Sequence, residues 1–600
     1  MPDHDHDHSD DCPCCHDDDE GLAPPTPEQV FGPEIPSAPV PLRAGPVEVD
    51  FDPDWGFLRR FRVGNVEILR AVYMAVRAAN WATVRPVFRN VKIDAQSDRF
   101  SISLDADCRD EAAGIDLTWH GEMEGQPDGS IRYAFSATPQ APLKTNRTGL
   151  CVLHPHGLAG SPLSLEHPDG SVTRGHFPKL ISPHQPFFGI RAITHQPAKD
   201  MLVKVTCEGE TFEMEDQRNW TDASFKTYGG PLSIPLPRVY PAEKPLRQEV
   251  RIELLGEAPA VTIPDDKVIL TLPDEAAAVP LPSIGLRWAP DAGPLDEAAI
   301  EDLRTMAPGH LTIDVDVTRT DWRETLTRAF AEAESLAIDR FLLFVSYTPN
   351  CQPALSELAA DLASVAENIV AICLRNPDEP CPGRVTLELA RAIFSRVLPE
   401  VPLAAAPLTN FADMNRFQPP ADFGTCVPLC PQVHTFDVDS MMENIAPQLD
   451  VLKTVRGFSP EQPIHAAPIA LKRRRQPDAR QGSLFCGAWT VGSLATLAPS
   501  GLATSLTYHE HAGVNGVLGT PTAEVIEALG AIDRVAAVKS SSPGRVAALM
   551  LYPAADGDEE EESDRYLLLA NLCRHDVTVV FEGEDSEVAL EPYGFGCFAI

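Results

Sequence analysis

HLTIDVDVTRTDWRETLTRAFAEAESLA, residues 310–337, is the stretch on which the fold turns. Leu311, Ile313, Val315 and Val317 alternate with Thr312, Asp314 and Asp316, the period of a strand. From Asp321 the period changes: Trp322, Leu326, Ala329, Ala333 and Leu336 share one helical face, and Asp321 with Glu324 resembles a capping box. Seven more short apolar runs separated by helical stretches surround it: Ser283–Trp288, Arg340–Tyr347, Asn368–Asn376, Val401–Leu408, Thr425–His434, Pro463–Leu471 and Leu502–His511. Eight strand-then-helix units over residues 281–520 predict a (β/α)8 TIM-like barrel, with the helix before the last strand the most weakly marked.

The flanks read differently. Residues 47–280 keep a period near two, and hairpin signals recur at Pro127-Asp-Gly129, His167-Pro-Asp-Gly170 and Glu208-Gly209, which predicts an N-terminal β-sandwich. Residues 521–600 open with a helix near Ala523–Val538 and then alternate again, predicting a small C-terminal β-sheet with an acidic tip at Asp556–Asp564. Residues 1–46 divide into a tail bearing His4, His6, His8, Cys12, Cys14, Cys15 and His16 and a Pro-rich tether. The tail's ligand spacing matches no structural zinc module, so disorder with incidental metal binding is expected there.

Charge and composition exclude several classes. The formal net charge of −38 opposes binding to nucleic acid or to an anionic membrane surface. No apolar run reaches the length of a membrane span, and the acidic N-terminus is unlike a secretory signal, so a cytoplasmic location is expected. Most of the 14 cysteines lie singly in apolar company and read as buried thiols. Asn146-Arg147-Thr148 and Asn219-Trp220-Thr221 match the glycosylation pattern, which without an export signal carries no meaning.

In a barrel the reactive groups stand at the C-terminal strand ends, and alternation says which side chains face the axis. Parity points Arg287, Asp314, Asp316, Cys373, Arg375, Thr507, His509 and His511 inward and Glu510 outward, although alternation commonly fails at a strand end. Ser346, Asn410 and His434 close the third, fifth and sixth runs. Arginines in a dry cleft stabilise oxyanions or grip carboxylates, and a histidine or carboxylate can take a proton from water. A plain barrel salt bridge, Asp314 with Arg287, is the competing reading. A metal could be reached only through His434, His509 and His511, and no cofactor is expected. Between the sandwich strands and the barrel lies TFEMEDQRNWTDASFKTY, Thr211–Tyr228, dense in groups able to bind a hydroxylated ligand: Asp216, Asn219 and Trp220 above all. The segment is expected to lean over the barrel mouth. His154, His156 and His184 read as loop histidines bonded to neighbouring backbone.

HPHG from His154, PHQPFFGI from Pro183, MEDQRNWTDASFKTY from Met214 and PQVHTFD from Pro431 resemble the D-apionate lactonase family over about residues 47–600. The resemblance implies hydrolysis of a sugar lactone, D-apionolactone, to D-apionate in apiose breakdown. Site residues come from the strand argument alone. His434, His509 and Glu510 are expected to carry protons and Arg375 or Arg287 to stabilise charge. Asp314, Asn410, Asp216, Asn219 and Trp220 are expected to bind substrate. A glycoside hydrolase is the alternative, but Asn376-Pro377 closes the fourth strand and Ala470-Leu471 the seventh, where retaining enzymes of this layout carry carboxylates. A carbohydrate-binding protein without catalysis is a third reading, and the oligomeric state is left open.

Overall fold

The eight apolar runs close on one another as parallel strands: β1 Ser283–Arg287, β2 His310–Asp316, β3 Phe341–Ser346, β4 Ile369–Arg375, β5 Leu403–Ala405, β6 Gly424–Leu429, β7 Ile464–Ile469 and β8 Ser505–Glu510, with β8 paired back to β1. The computed structural model describes residues 25–256, 267–472, 477–554, 565–584 and 586–600. The His-, Asp- and Cys-rich tail and the acidic tip at 556–564 lie outside them. Helices shield the outer face of the barrel, where Ile284, Leu286, Leu311, Ile313, Ile372 and Leu374 are buried in one large core. Leu342, Phe344, Cys373, Ala404, Cys426 and Ala467 form a second cluster from alternate strand positions, lining the lumen. The lower lumen is polar. His310 lies between Ser283 Oγ at 2.9 Å and Thr507 Oγ1 at 2.8 Å, and His465 lies 2.8 Å from Ser505 Oγ. Gly285 makes this possible, because a Cβ there would stand 2.3 Å from the His310 ring.

The weakly marked helix before the last strand is Leu484–Leu497, and it is apolar on nearly every side. The C-terminal sheet explains the missing amphipathic stripe by covering the helix face that would otherwise meet water: Gly487 sits against Phe595, and Gly492 against Leu572. The helix expected over 523–538 ends earlier, spanning Pro521–Glu527, and Ile532–Ala537 is a strand of that sheet instead. Strand Lys267–Thr271, on the sandwich side of residue 280, runs parallel to Val577–Phe581. The Pro-rich tether is also more ordered than composition implies. Thr26 caps a short helix, Pro27–Phe31, whose Val30 is buried in the barrel's outer core.

Residues 40–255 build an eight-stranded and a nine-stranded sheet with one shared core. The hairpins expected at 127–129 and 167–170 join adjacent antiparallel strands. Within Thr211–Tyr228, strand Phe212–Asp216 enters one 3₁₀ turn, Gln217–Trp220, and Thr221 at φ +65° reverses the chain into strand Ser224–Gly229. Phe212, Met214 and Phe225 point into the sandwich core. Alternation therefore sends Glu213, Glu215, Lys226 and Tyr228 to the opposite face, toward the barrel.

The two domains are joined by a buried ionic network. Arg59, 1 % exposed, reaches Asp437 at 2.5 Å and Glu443 at 3.4 Å on the barrel side, while Arg70 reaches the same Glu443 at 3.6 Å. Asp439 extends the network to Arg574 of the C-terminal sheets at 2.6 Å. Asp437 caps helix Val438–Glu443, accepting from Ser440 N.

Candidate active site at the junction of sandwich and barrel

At the barrel mouth, parity holds for β1, β2 and β4. Asp314 is shared by two arginines, with Arg287 Nε 2.8 Å from Oδ2 and Arg375 Nη1 3.3 Å from Oδ1. Arg375 also lies 3.7 Å over the Phe344 ring. The salt bridge between Arg287 and Asp314 thus exists, within a larger quartet completed by Glu510, 3.9 Å from Arg287. Two cations and two anions make the quartet neutral. Burial pulls the Arg375 guanidinium below its usual value, with Asp314 opposing.

Parity fails on β8, and this corrects two expectations. Leu286 pairs with Tyr508 but Arg287 with Glu510, so His509 is bulged out, at φ +43°. The extra residue turns Glu510 inward and sends His509 outward into the layer between barrel and helix Leu484–Leu497. There it contacts Thr490 Oγ1 at 3.0 Å and Gln481 at 3.2 Å and is 1 % exposed. Burial pushes its pKa down to about 4. His511 also faces away from the axis, 2.5 Å from Glu332 of an outer helix. His434, His509 and His511, through which alone a metal could have been reached, do not converge. Among the described residues no group of three or more His, Cys, Asp or Glu is placed to hold a metal ion.

Two further placements overturn expectation. Asp216 and Asn219 were expected to bind substrate, but both are buried and committed to protein partners. Arg218 Nη2 donates to Asp216 at 2.8 Å and Arg218 Nη1 to Asp450 at 2.9 Å, tying the turn to helix Pro447–Phe458. Asn219 donates to Ser182 O and Asp216 O, and its Oδ1 accepts from Asn415 at 2.9 Å. Replacing Asn219 by Ala should therefore cost stability, about 1–3 kcal/mol in a denaturant titration, with KM unchanged in the folded fraction. A raised KM at unchanged stability would restore it to the binding site. Asn410 is half-buried at the N-cap of helix Phe411–Arg416, beyond β5.

What the Thr211–Tyr228 segment brings to the barrel is a different set of residues. His434 stands in the loop after β6, its Nδ1 2.5 Å from Asp222 Oδ2 and its ring 5.2 Å from Trp220. Asp222 is 3 % exposed and accepts through Oδ1 from Asn444 Nδ2 at 3.3 Å. The Asn444 amide is itself fixed by Pro431 O and Ala223 N. The carboxylate can only accept, so His434 donates from Nδ1. Nε2 makes no hydrogen bond to another described residue, and the side chain is 19 % exposed. Burial holds the imidazole below its ordinary pKa, opposed by Asp222. The result is a neutral, oriented base with an open nitrogen at neutral pH. Beside it, Lys226 Nζ pairs with Glu215 at 2.9 Å, and Gln217 Nε2 donates to Glu215 at 3.1 Å. Burial would raise the Glu215 pKa, but Lys226, Arg147 and His434 outweigh it and hold the carboxyl low.

His154, expected in a loop, sits inside strand Arg147–Pro155, wholly buried, 3.1 Å from Thr227 Oγ1. Sequence reasoning counted Asp222 and Lys226 among the ligand-binding groups of Thr211–Tyr228 without giving them these roles, and it did not single out Glu215 or Arg147. The signal available was parity within Phe212–Asp216 and Ser224–Gly229, which puts Glu215 and Lys226 on one face. Their meeting with His434, over 200 residues away, leaves no local trace.

Comparison with known proteins fits this division of the chain. Residues 29–257 match a family model described as the D-apionate lactonase N-terminal domain, and residues 284–540 one described as the D-apionate lactonase TIM barrel domain. The D-apionate lactonase of Brucella anthropi is 30% identical over 463 residues, 74% of each chain. Among solved structures, a GH30 endoxylanase from Clostridium papyrosolvens is similar over 56% of this chain and 97% of its own, at 10% identity and a TM-score of 0.37. A β-arabinopyranosidase is similar over 94% and 98%, at 12% identity and a TM-score of 0.29. These structural likenesses are too loose to bear on the chemistry. The two family models cover sandwich and barrel together, and with the Brucella relative they establish that the chain belongs to the D-apionate lactonase family.

Proposed function

We propose that the protein hydrolyses a five-membered sugar lactone, D-apionolactone, to D-apionate, with His434 as the base that activates water. The observation that carries this reading is the Asp222–His434 pair, which leaves an unprotonated Nε2 beside Trp220 at the C-terminal side of the barrel. Water gives a proton to Nε2 as its oxygen adds to the lactone carbonyl carbon. Collapse of the tetrahedral intermediate breaks the bond from that carbon to the ring oxygen, and the imidazolium returns the proton to the departing alkoxide. Asp222 stabilises the imidazolium between the two steps, as a buried carboxylate does for a catalytic histidine. The product acid then ionises, releasing one proton per turnover. In this reading the quartet of Arg287, Asp314, Arg375 and Glu510 forms a polar surface at the mouth, with Arg375 supplying positive charge and Glu510 a second carboxylate. Trp220 and Asn410 are the remaining candidates for sugar contact. A place in apiose breakdown and a cytoplasmic location belong to the same proposal.

Glycosidase chemistry has less support. Glu379, in the loop after β4, is taken up by Asn376 Nδ2 at 2.8 Å and Gly383 N at 2.7 Å, and also by Thr386. The deciding experiment is a pH-stat assay of the purified protein with D-apionolactone and related aldonolactones, with and without chelator, beside chromogenic glycosides. One proton released per lactone with no glycoside cleaved is the expected result. Binding without proton release would leave a sugar-binding protein, and release of chromophore would leave a glycosidase.

A further inference from the structure

One strongly basic group in the junction makes no ion pair in direct contact with a carboxylate among the described residues. Arg147 opens strand Arg147–Pro155 and is 5 % exposed. Its guanidinium carbon lies 3.3 Å from the centre of the Tyr228 ring and 5.6 Å from that of Trp81. Its Nε is buried without a hydrogen bond. Arg77 stands beside it in register on the neighbouring strand and donates to Thr83 Oγ1 and His434 O, neither of them an anion. The nearby acids are committed elsewhere. Glu215 is held by Lys226, Glu213 accepts from the Tyr228 hydroxyl at 2.5 Å, and Asp222 is held by His434. Two buried arginines in register, with Glu215 acting on Arg147 only at a distance and already paired with Lys226, are costly to fold, because a charge out of water must be repaid by an opposite one in contact.

We propose that Arg147 is the anion-binding residue of a subsite for a short aldonate, gripping the carboxylate of the hydrolysis product and the lactone carbonyl oxygen from which that carboxylate forms. The inference rests on the proposed lactonase reading and adds its missing charge partner. A guanidinium presents a planar fork that matches a carboxylate in two parallel hydrogen bonds, and Tyr228 fixes its plane by stacking. Trp81, 46 % exposed and at φ +68°, lies on the solvent side as an apolar surface for the sugar's C–H face. Lys226, 5.6 Å from the same Tyr228 ring, joins this subsite to Glu215, and Arg77 joins it to the His434 backbone. Substrate and product therefore make different use of it: the lactone carbonyl is neutral, the tetrahedral oxyanion and the carboxylate are not, so the grip tightens as the reaction proceeds.

The test is calorimetric titration of D-apionate, made by alkaline opening of the lactone, into the wild type, Arg147→Gln and Arg147→Lys. A neutral polyol of the same size is the control. Affinity should fall about 30-fold or more in Arg147→Gln and less in Arg147→Lys, while the polyol binds none of them comparably. Without ligand, Arg147→Gln should melt at or above the wild-type temperature, since an unpaired buried charge has been removed; a structural arginine would lower it. Undiminished D-apionate affinity in folded Arg147→Gln, or no D-apionate binding by a wild type that turns over lactone, would overturn the subsite and leave the lactonase reading standing. If Arg147→Gln does not fold, the subsite is rejected unless Arg147→Lys folds and binds D-apionate more weakly than wild type. D-apionate binding through Arg147 in a protein that hydrolyses no lactone would sink the catalytic reading instead.

Discussion

His434→Asn is expected to lower kcat for lactone hydrolysis about 10²–10⁴-fold, with the melting temperature nearly unchanged. Asn keeps a donor near the position of Nδ1, so the hydrogen bond to Asp222 can persist while the basic Nε2 is lost. Asp222→Asn should also reduce kcat, through a different route. Burial already pulls the imidazole down and Asp222 opposes it, so removing the carboxylate lowers the pKa of the base further. The acid limb of kcat/KM against pH should then move to lower pH in Asp222→Asn, as the remaining activity falls. A structural role for Asp222 predicts lost stability and an unmoved limb. Glu510→Gln gives the contrast between the two clusters. If Glu510→Gln abolishes turnover and His434→Asn does not, the chemistry belongs to the barrel-mouth quartet and the assignment of the base is wrong.

The barrel could be read from sequence because its information is local and repeated. Strands alternate within a few residues, and Leu311, Ile313 and Val315 reach the helices as their period requires. The same rule placed Arg287, Asp314 and Arg375 on the axis. It broke at His509, where one inserted residue reverses every later side chain, and no single sequence announces a bulge. The Leu484–Leu497 helix was obscure for the opposite reason. It has no polar face to detect, because it is covered by C-terminal residues far along the chain, Leu572 and Phe595 among them. The active-site candidates fared according to whether their partners were local. Asp216 and Asn219 looked exposed because they are polar and sit in a turn, yet Arg218 beside them and Asn415 across the interface consume their hydrogen-bonding capacity. Asp222 and His434 are united only by docking of sandwich on barrel.

That docking buries histidines as well as acids, and the protein should lose stability steeply as pH falls from about 6.5 to 4.5. His195, His465 and His509 are held at about 4 by burial, and His310 at about 3 by burial with His465 and Arg340 adding to it. All four are neutral in the fold at pH 7. Unfolded, each returns to an ordinary imidazole value near 6.5 and binds a proton below it. A base with a depressed folded pKa stabilises nothing at low pH: the unfolded state takes up the protons first, so stability is intact above about 6.5 and drains as pH falls toward the folded pKa. At pH 5 the loss is about 2 kcal/mol per group, or about 8 kcal/mol for the four, comparable with the whole stability of a typical domain. Carboxylates do not reverse the sign. Asp216 and Glu443, raised by burial, give back some stability as they protonate, while Asp437, held low by Arg59 and Ser440 against burial, loses its share only below the ordinary carboxylate range. Scanning calorimetry from pH 7.5 to 4.5 should show the melting temperature falling continuously. His195→Gln should flatten that slope in the sandwich transition by about one proton, and His465→Gln in the barrel transition. A melting temperature constant between pH 6.5 and 5 would mean that these imidazoles are charged in the native protein, and with that the neutral, solvent-excluded lumen of the barrel would be lost as well.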